Sequence, residues 1–250
     1  MATVALRADE RIDQLYSKDI QIIQSATVFS FSLDAVLLGA FATVSRAAKT
    51  RIVDLCAGNG AVGLFVSGQT NGQITAVELQ PRLADMATRS IQLNDLSERM
   101  TVLNQDLLTV TDTIAKDSVD VVLCNPPYFK DQPTSQKNPN PHLAIARHEL
   151  SANLDQILAV TSDLLKMNGK AYFVHRPERL DDLFAAMAQH RLAPKRIRFV
   201  HPKADREANM VLIEMIKDGK PNGVRVVPPV IVYAADGTYR EEVRHLLYGE

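Results

Sequence analysis

The sequence predicts an α/β fold: a doubly wound, mostly parallel sheet of seven strands, with helices on both faces and an antiparallel hairpin at one edge. Three observations carry this. Short runs rich in Val, Ile and Leu recur at Arg51–Cys56, Gln73–Glu78, Met100–Asn104, Val119–Cys124 and Lys170–His175, the pattern of strands buried on both faces. Stretches of helical spacing alternate with them at Ala61–Ser67, Pro81–Leu93, Leu154–Met167 and Leu180–His190. Two further runs, Ile197–His201 and Asn209–Ile216, have no helix between them and so pair antiparallel at the edge.

The elements follow in order. Gln21–Gln24 and Val28–Phe31 alternate as small strands or arms ahead of a helix over Leu33–Ser45. The strand ending at Cys56 runs into Ala57-Gly58-Asn59-Gly60 and then a helix, and proline opens the helix at Pro81. Between Phe129 and Ile145, Pro133, Pro139 and Pro141 among Lys, Gln and Asn argue for a loop, placed to act as a substrate lid. Asn168-Gly169 reads as the C-cap of the helix reaching Met167. The tail holds weak strands at Val224–Val227 and Val230–Tyr233, a turn at Ala235-Asp236-Gly237 and a short helix to Tyr248. A single domain of 250 residues is expected, divided into an N-terminal cap (1–48), a core (49–216) and a C-terminal extension (217–250).

Bulk properties exclude some classes. The longest apolar stretch, Ala35 to Val44, is too short to span a bilayer, and Arg7, Asp9, Glu10 and Arg11 precede any apolar run, so a cytoplasmic protein is expected. Cys56 and Cys124 have no partner spacing for a metal and read as buried free thiols. Net charge is near zero, yet Arg191, Lys195, Arg196, Arg198, Lys203 and Arg206 crowd one stretch that holds a single acid. That stretch is either an RNA face or a solvated edge.

Ligands on such sheets bind beyond the carboxyl ends of the strands, which puts Gly58, Glu78, Asp106 and Asn125 along one rim. The glycine turn alone is a weak signal, because Gly63 falls inside the first helical turn and departs from the dinucleotide fingerprint. Glu78, at the end of the second strand, can accept both hydroxyls of a ribose, and Asp106 repeats the device one strand on. Either acid could instead cap a helix. Acids dominate the rim and Asp54 precedes the turn, so a phosphate is disfavoured and a cationic, ribose-bearing cofactor such as S-adenosylmethionine fits. The fourth strand stops on Asn125-Pro126-Pro127-Tyr128. Two prolines remove two donors, and the turn offers the Asn125 oxygen, the Pro126 carbonyl and the face of Tyr128, which suits an amine-bearing ring such as adenine.

Taken together, Asp54-Leu-Cys-Ala-Gly-Asn-Gly60, Glu78, Asp106 and Asn125-Pro-Pro-Tyr128 resemble the successive motifs of a Rossmann-like class I S-adenosylmethionine-dependent methyltransferase acting on an amino group. The closer resemblance is to the bacterial tRNA(Val) adenine methyltransferases. It rests on Phe29-Ser-Phe-Ser-Leu-Asp34-Ala-Val-Leu-Leu38, Glu78-Leu-Gln80, Asn125-Pro-Pro-Tyr-Phe129, Arg147-His-Glu149 and His201-Pro202, and it covers nearly the whole chain. Those loops commonly carry glycine where Cys56 stands, which leaves open whether that position is left-handed.

The resemblance implies methylation of the N6 amine of an adenine next to the anticodon, with Asn125, Pro126, Pro127 and Tyr128 as the catalytic turn. It implies a cofactor set of Phe31, Asp34, Asp54, Ala57, Gly58, Asn59, Gly60, Glu78, Leu79, Asp106, Leu107 and Asn125, and no metal. Read bottom-up, Asp34 is also what a helix dipole favours in a first turn. The rival enzymes are a protein-glutamine methyltransferase and a DNA or ribosomal RNA amino-methyltransferase. From another class, the rival is an RNA-binding or cofactor-sensing module that does not turn over.

Overall fold

A computed structural model describes residues 4–15, 20–28, 31–129, 149 and 151–249. Phe29 and Ser30, the expected lid from 130 onward, and Arg147-His148 lie outside the described residues. The main sheet runs β10-β8-β9-β7-β6-β3-β4-β5, with β11 also pairing β8. Its strands are β3 (Arg51–Leu55), β4 (Gln73–Glu78), β5 (Met100–Asn104), β6 (Val119–Cys124), β7 (Leu165–His175), β8 (Leu192–His201), β9 (Met210–Lys217), β10 (Arg225–Val226) and β11 (Val230–Ile231). Strands β5, β4, β3, β6 and β7 are parallel, and β9 slots antiparallel between β7 and β8. The expected seven strands are thus joined by the two weak tail strands, each shortened to two residues and parallel to β8 on its outer edge.

Alternation along the strands feeds two cores. Ile52 packs with Leu38 of α1 (Leu33–Phe41), Leu64 of α2 (Ala61–Ser67) and Ile91 of α3 (Pro81–Leu93). Val53 turns to the other face, against Leu158 of α4 (Leu154–Leu164) and Leu183 of α5 (Leu180–Gln189). The order reverses between β3 and β6, so a crevice opens at their carboxyl ends.

Three boundaries depart from expectation. Helix α1 stops at Phe41 rather than Ser45, because Arg196 takes the Phe41 carbonyl (2.6 Å) and the Tyr172 hydroxyl takes that of Thr43 (3.1 Å). Helix α4 ends at Leu164, and Asn168-Gly169 is no helix cap. Val119 pairs Leu165 while Val121 pairs Lys170, so residues 166–169 bulge from β7; Asn168 is left-handed (φ 63°), and a Cβ on Gly169 would lie 2.9 Å from the Lys166 carbonyl. At the N-terminus the strands are β1 (Glu10–Leu15) and β2 (Ile20–Ser25), an antiparallel hairpin, and Val28 falls in a bend outside it. The side chain of Asn94, which caps the C-terminus of α3, brackets Gln21 by accepting from its N–H (2.8 Å) and donating to its carbonyl (2.6 Å), which fixes the hairpin on that helix end.

The basic stretch is largely consumed by the fold. Arg196 ion-pairs with Glu214 at 2.9 Å and stacks on the Phe41 ring at 4.1 Å. Arg198 pairs with Glu242 of α6 (Glu241–Tyr248) and Arg191 with Asp218, while Lys195 donates to the carbonyls of Lys220 and Asn222. Because β8 runs parallel to β7, its start lies at the rim opposite the crevice; only Lys203 and Arg206, in the β8–β9 turn, reach the crevice side. Arg196→Ala is expected to cost about 2 kcal/mol, read as a lower urea midpoint at unchanged slope. An unchanged midpoint would return Arg196 to the solvated surface.

Candidate active site

A cavity of about 310 Å³ opens at the β3/β6 switch point. Around it stand Phe31 and Asp34 from the start of α1, Ala57, Gly58 and Asn59 after β3, Glu78 and Leu79 after β4, Asp106 and Leu107 after β5, and Asn125 through Phe129 after β6. The expected rim therefore meets at one place. Two expected cofactor residues do not line it. Asp54 is wholly buried behind the glycine turn, where its Oδ2 accepts from the Gly63 N–H at 2.9 Å. Gly60 turns away, at φ 86°, with a Cβ there meeting Ala87 at 3.2 Å.

The acids shape the loops before they meet any ligand. Glu78, 6% exposed, accepts from the Gly58 N–H (2.8 Å) through one oxygen and from the Gln80 N–H (2.8 Å) through the other, tying the two turns together. Burial raises its pKa, against the pull of those N–H groups. Asn104 donates to the carbonyls of Glu78 and Leu79, which sets where β5 delivers Asp106. One oxygen of Asp106 caps the Leu108 N–H, and the other has no partner among the described residues. Cys56 is left-handed at φ 56°, the conformation that glycine would adopt freely, and Gly58 follows at φ 57°. Among the described residues the lining has three acids, Asp34, Glu78 and Asp106, and no Lys, Arg or His. Such a cradle suits a cation with hydroxyls and repels phosphate.

The Asn-Pro-Pro-Tyr turn is braced from outside the motif. Arg179 donates to the Tyr128 carbonyl (3.1 Å) and ion-pairs with Glu149 (2.9 Å) and Asp182 (2.6 Å), while the Glu149 N–H donates to the Phe129 carbonyl (2.9 Å). The Tyr128 ring packs on His175, centroids 5.4 Å apart, and its hydroxyl meets Asp34 and Asn125. His175 has its pKa lowered to about 4, by burial first and then the charge of Arg179. Its Nδ1 accepts from the Arg176 N–H (2.8 Å), so Nε2 carries the proton of a neutral ring. Nothing local points to Arg179 or His175, since an arginine before a helix and a histidine ending a strand read as ordinary; Glu149 was visible only within Arg147-His148-Glu149.

This strand order, with its cavity at the switch point, is that of a Rossmann-like class I methyltransferase. Solved structures share the fold: a predicted O-methyltransferase from Agrobacterium tumefaciens has a TM-score of 0.68 at 23% identity, covering 85% of this chain and 94% of that one. The geranyl diphosphate C-methyltransferase of Streptomyces coelicolor has a TM-score of 0.56 at 14% identity, covering 73% and 79%. The methyltransferase small domain model matches residues 19–188. A tRNA1(Val) (adenine(37)-N6)-methyltransferase from Shewanella loihica is 34% identical over 178 residues, 70% of this chain and 71% of the relative. One from Aeromonas hydrophila is 27% identical over 90% of this chain and 91% of the relative. The chain belongs to the methyltransferase small domain family, in the branch whose relatives carry the name tRNA1(Val) (adenine(37)-N6)-methyltransferase.

Asp54 has its pKa pushed up to about 7 from 3.8, by burial first, with the Glu78 charge adding and the Gly63 N–H opposing. Between those values the folded chain holds a proton that the unfolded chain has released, so stability falls as pH rises through the window. Asp54→Asn keeps an acceptor for Gly63 and removes that loss. The variant is expected to gain about 1–3 kcal/mol on the parent between pH 5 and pH 8, read from urea midpoints.

Proposed function

We propose that this protein methylates the exocyclic N6 amine of an adenine in tRNA, using S-adenosylmethionine, with the adenine next to the anticodon of tRNA(Val) as target. The observation that carries the reading is an Asn-Pro-Pro-Tyr turn at the mouth of an acidic cavity that has no basic lining among the described residues. The names of the relatives support the same substrate. When bound, the cofactor supplies an electrophilic methyl group on a sulfonium. Glu78 would hold its ribose hydroxyls, Asp106 would accept from its adenine amine, and the Gly58 turn would pack on its methionine end, with Phe31, Ala57, Asn59, Leu79 and Leu107 at the sides.

The target amine is a poor nucleophile because its lone pair is delocalised into the ring. The Asn125 side-chain oxygen and the Pro126 carbonyl accept its two protons and hold the nitrogen facing the cavity; Pro127 keeps the turn rigid. Orientation and fixed dipoles then do most of the catalysis, without a strong base. Tyr128 keeps one face on His175 and offers the other to the base, a contact worth about 1–3 kcal/mol. Lys203 and Arg206 are the members of the basic stretch suited to phosphates beside the site.

Transfer of labelled methyl from S-adenosylmethionine to bulk tRNA tests this. The parent protein should label tRNA, and Asn125→Ala should lose transfer by about 10²-fold or more while still binding the cofactor. Labelled protein without labelled RNA would move the reading to a glutamine side chain, and full activity in Asn125→Ala would refute the mechanism.

A further inference from the structure

The Tyr128 hydroxyl lies 2.7 Å from Asp34 Oδ2 and 2.6 Å from Asn125 Oδ1, so as placed it faces two acceptor oxygens. Both are hydrogen-bond distances, but a phenol has one proton, so it can donate to only one of them and must accept from the other. A carboxylate has no proton to give, so the phenol donates to Asp34. Asn125 must then donate an N–H to the phenol oxygen. A half-turn of the amide exchanges its two ends without changing its shape, and with the NH₂ end on Tyr128 the carbonyl oxygen faces away from it.

We propose that Asp34 is a positioning residue for methyl transfer: by taking the only proton of Tyr128, it obliges Asn125 to present its carbonyl oxygen to the substrate amine. The proposal rests on the amino-methyltransferase reading above and gives Asp34 a role apart from contact with the cofactor. Without that carboxylate, Tyr128 can donate to Asn125, and the amide then turns its own N–H groups toward the amine, donor against donor.

The surroundings hold this chain in place. Asp34 is 7% exposed and fixed through its other oxygen, which accepts from the Ser32 hydroxyl (2.6 Å) and the Ala35 N–H (2.8 Å) in the first turn of α1. His175 packs against the Tyr128 ring, and Arg179 holds its carbonyl. Burial, and then the Asp34 charge, raise the phenol pKa well above 10, which keeps the proton in place at any working pH. The chain also ties the start of α1, on the cofactor side of the cavity, to the turn that grips the substrate.

The test is a double-mutant cycle of Asp34→Asn and Tyr128→Phe, with kcat measured on tRNA and cofactor affinity measured separately by calorimetry. Asp34→Asn should lower kcat by about a hundredfold, well beyond any loss of cofactor affinity from removing one acid of the cradle. Added to Tyr128→Phe it should cost nothing further, because the chain is already cut. Cofactor binding weakened about tenfold with kcat retained, or two effects that multiply, would overturn the proposal. A second measurement needs neither substrate nor a folded Asp34 variant: the Asn125 side-chain amide, followed by NMR with ¹⁵N-asparagine labelling. One of its protons should resist exchange in the parent and lose that protection in Tyr128→Phe; equal, rapid exchange of both protons in the parent would overturn the proposal. A parent protein that fails to label tRNA yet has the protected amide would count against the substrate reading alone.

Discussion

The pairing of β3 with β6 is the constraint on which the rest depends. These strands are distant in sequence, yet their register sets Leu55 opposite Cys124, so the glycine turn and the Asn-Pro-Pro-Tyr turn leave the sheet side by side. At that point the chain has crossed over, and a cavity opens beyond the strand ends. Because the register comes from ladder hydrogen bonds and from buried Val and Ile on both faces, the gap is a product of the core. Chemistry is then set by which residues end each strand.

The acids at those ends act twice. Glu78 organises two loops through backbone N–H groups and still faces the cavity. Asp54 has withdrawn entirely into the support of α2, where the close approach of Gly63 lets the helix start against the strand. At the Asn-Pro-Pro-Tyr turn, Arg179 and Glu149 join the Tyr128 and Phe129 carbonyls to the start of α5 and brace the turn from behind. The two halves meet at Tyr128. Its hydroxyl reaches Asp34 on one side and Asn125 on the other, so the Asn125 turn is linked to the start of α1.

Much of this was legible because it is local. Apolar runs ending at or just before Gly58, Glu78, Asp106 and Asn125 give the parallel strands and the rim together, since a parallel strand must end where its crossover begins. What was not legible depends on long-range partners. Arg191, Lys195, Arg196 and Arg198 look like a surface patch in sequence, but a sequence does not say that Glu214, Phe41, Asp218 and Glu242 will come to meet them. Asn168-Gly169 has the same left-handed preference in a strand bulge as in a helix cap, so only the pairing of Val119 with Leu165 distinguishes them. Cys56 adopts φ 56° without being glycine, a strain of about 1–2 kcal/mol that the loop absorbs. Arg179 and His175 carry no local signal, because their roles are toward a turn some fifty residues earlier in the chain.

The central claim is that the Asn125 turn grips an exocyclic amine, and the identity of the methylated nucleoside tests it most directly. Transfer RNA treated with the protein and S-adenosylmethionine, digested to nucleosides and resolved by mass spectrometry against standards, should yield N6-methyladenosine. A product methylated on a ring atom, such as 1-methyladenosine or 2-methyladenosine, would contradict it, because neither position offers the two protons that Asn125 and Pro126 are arranged to accept.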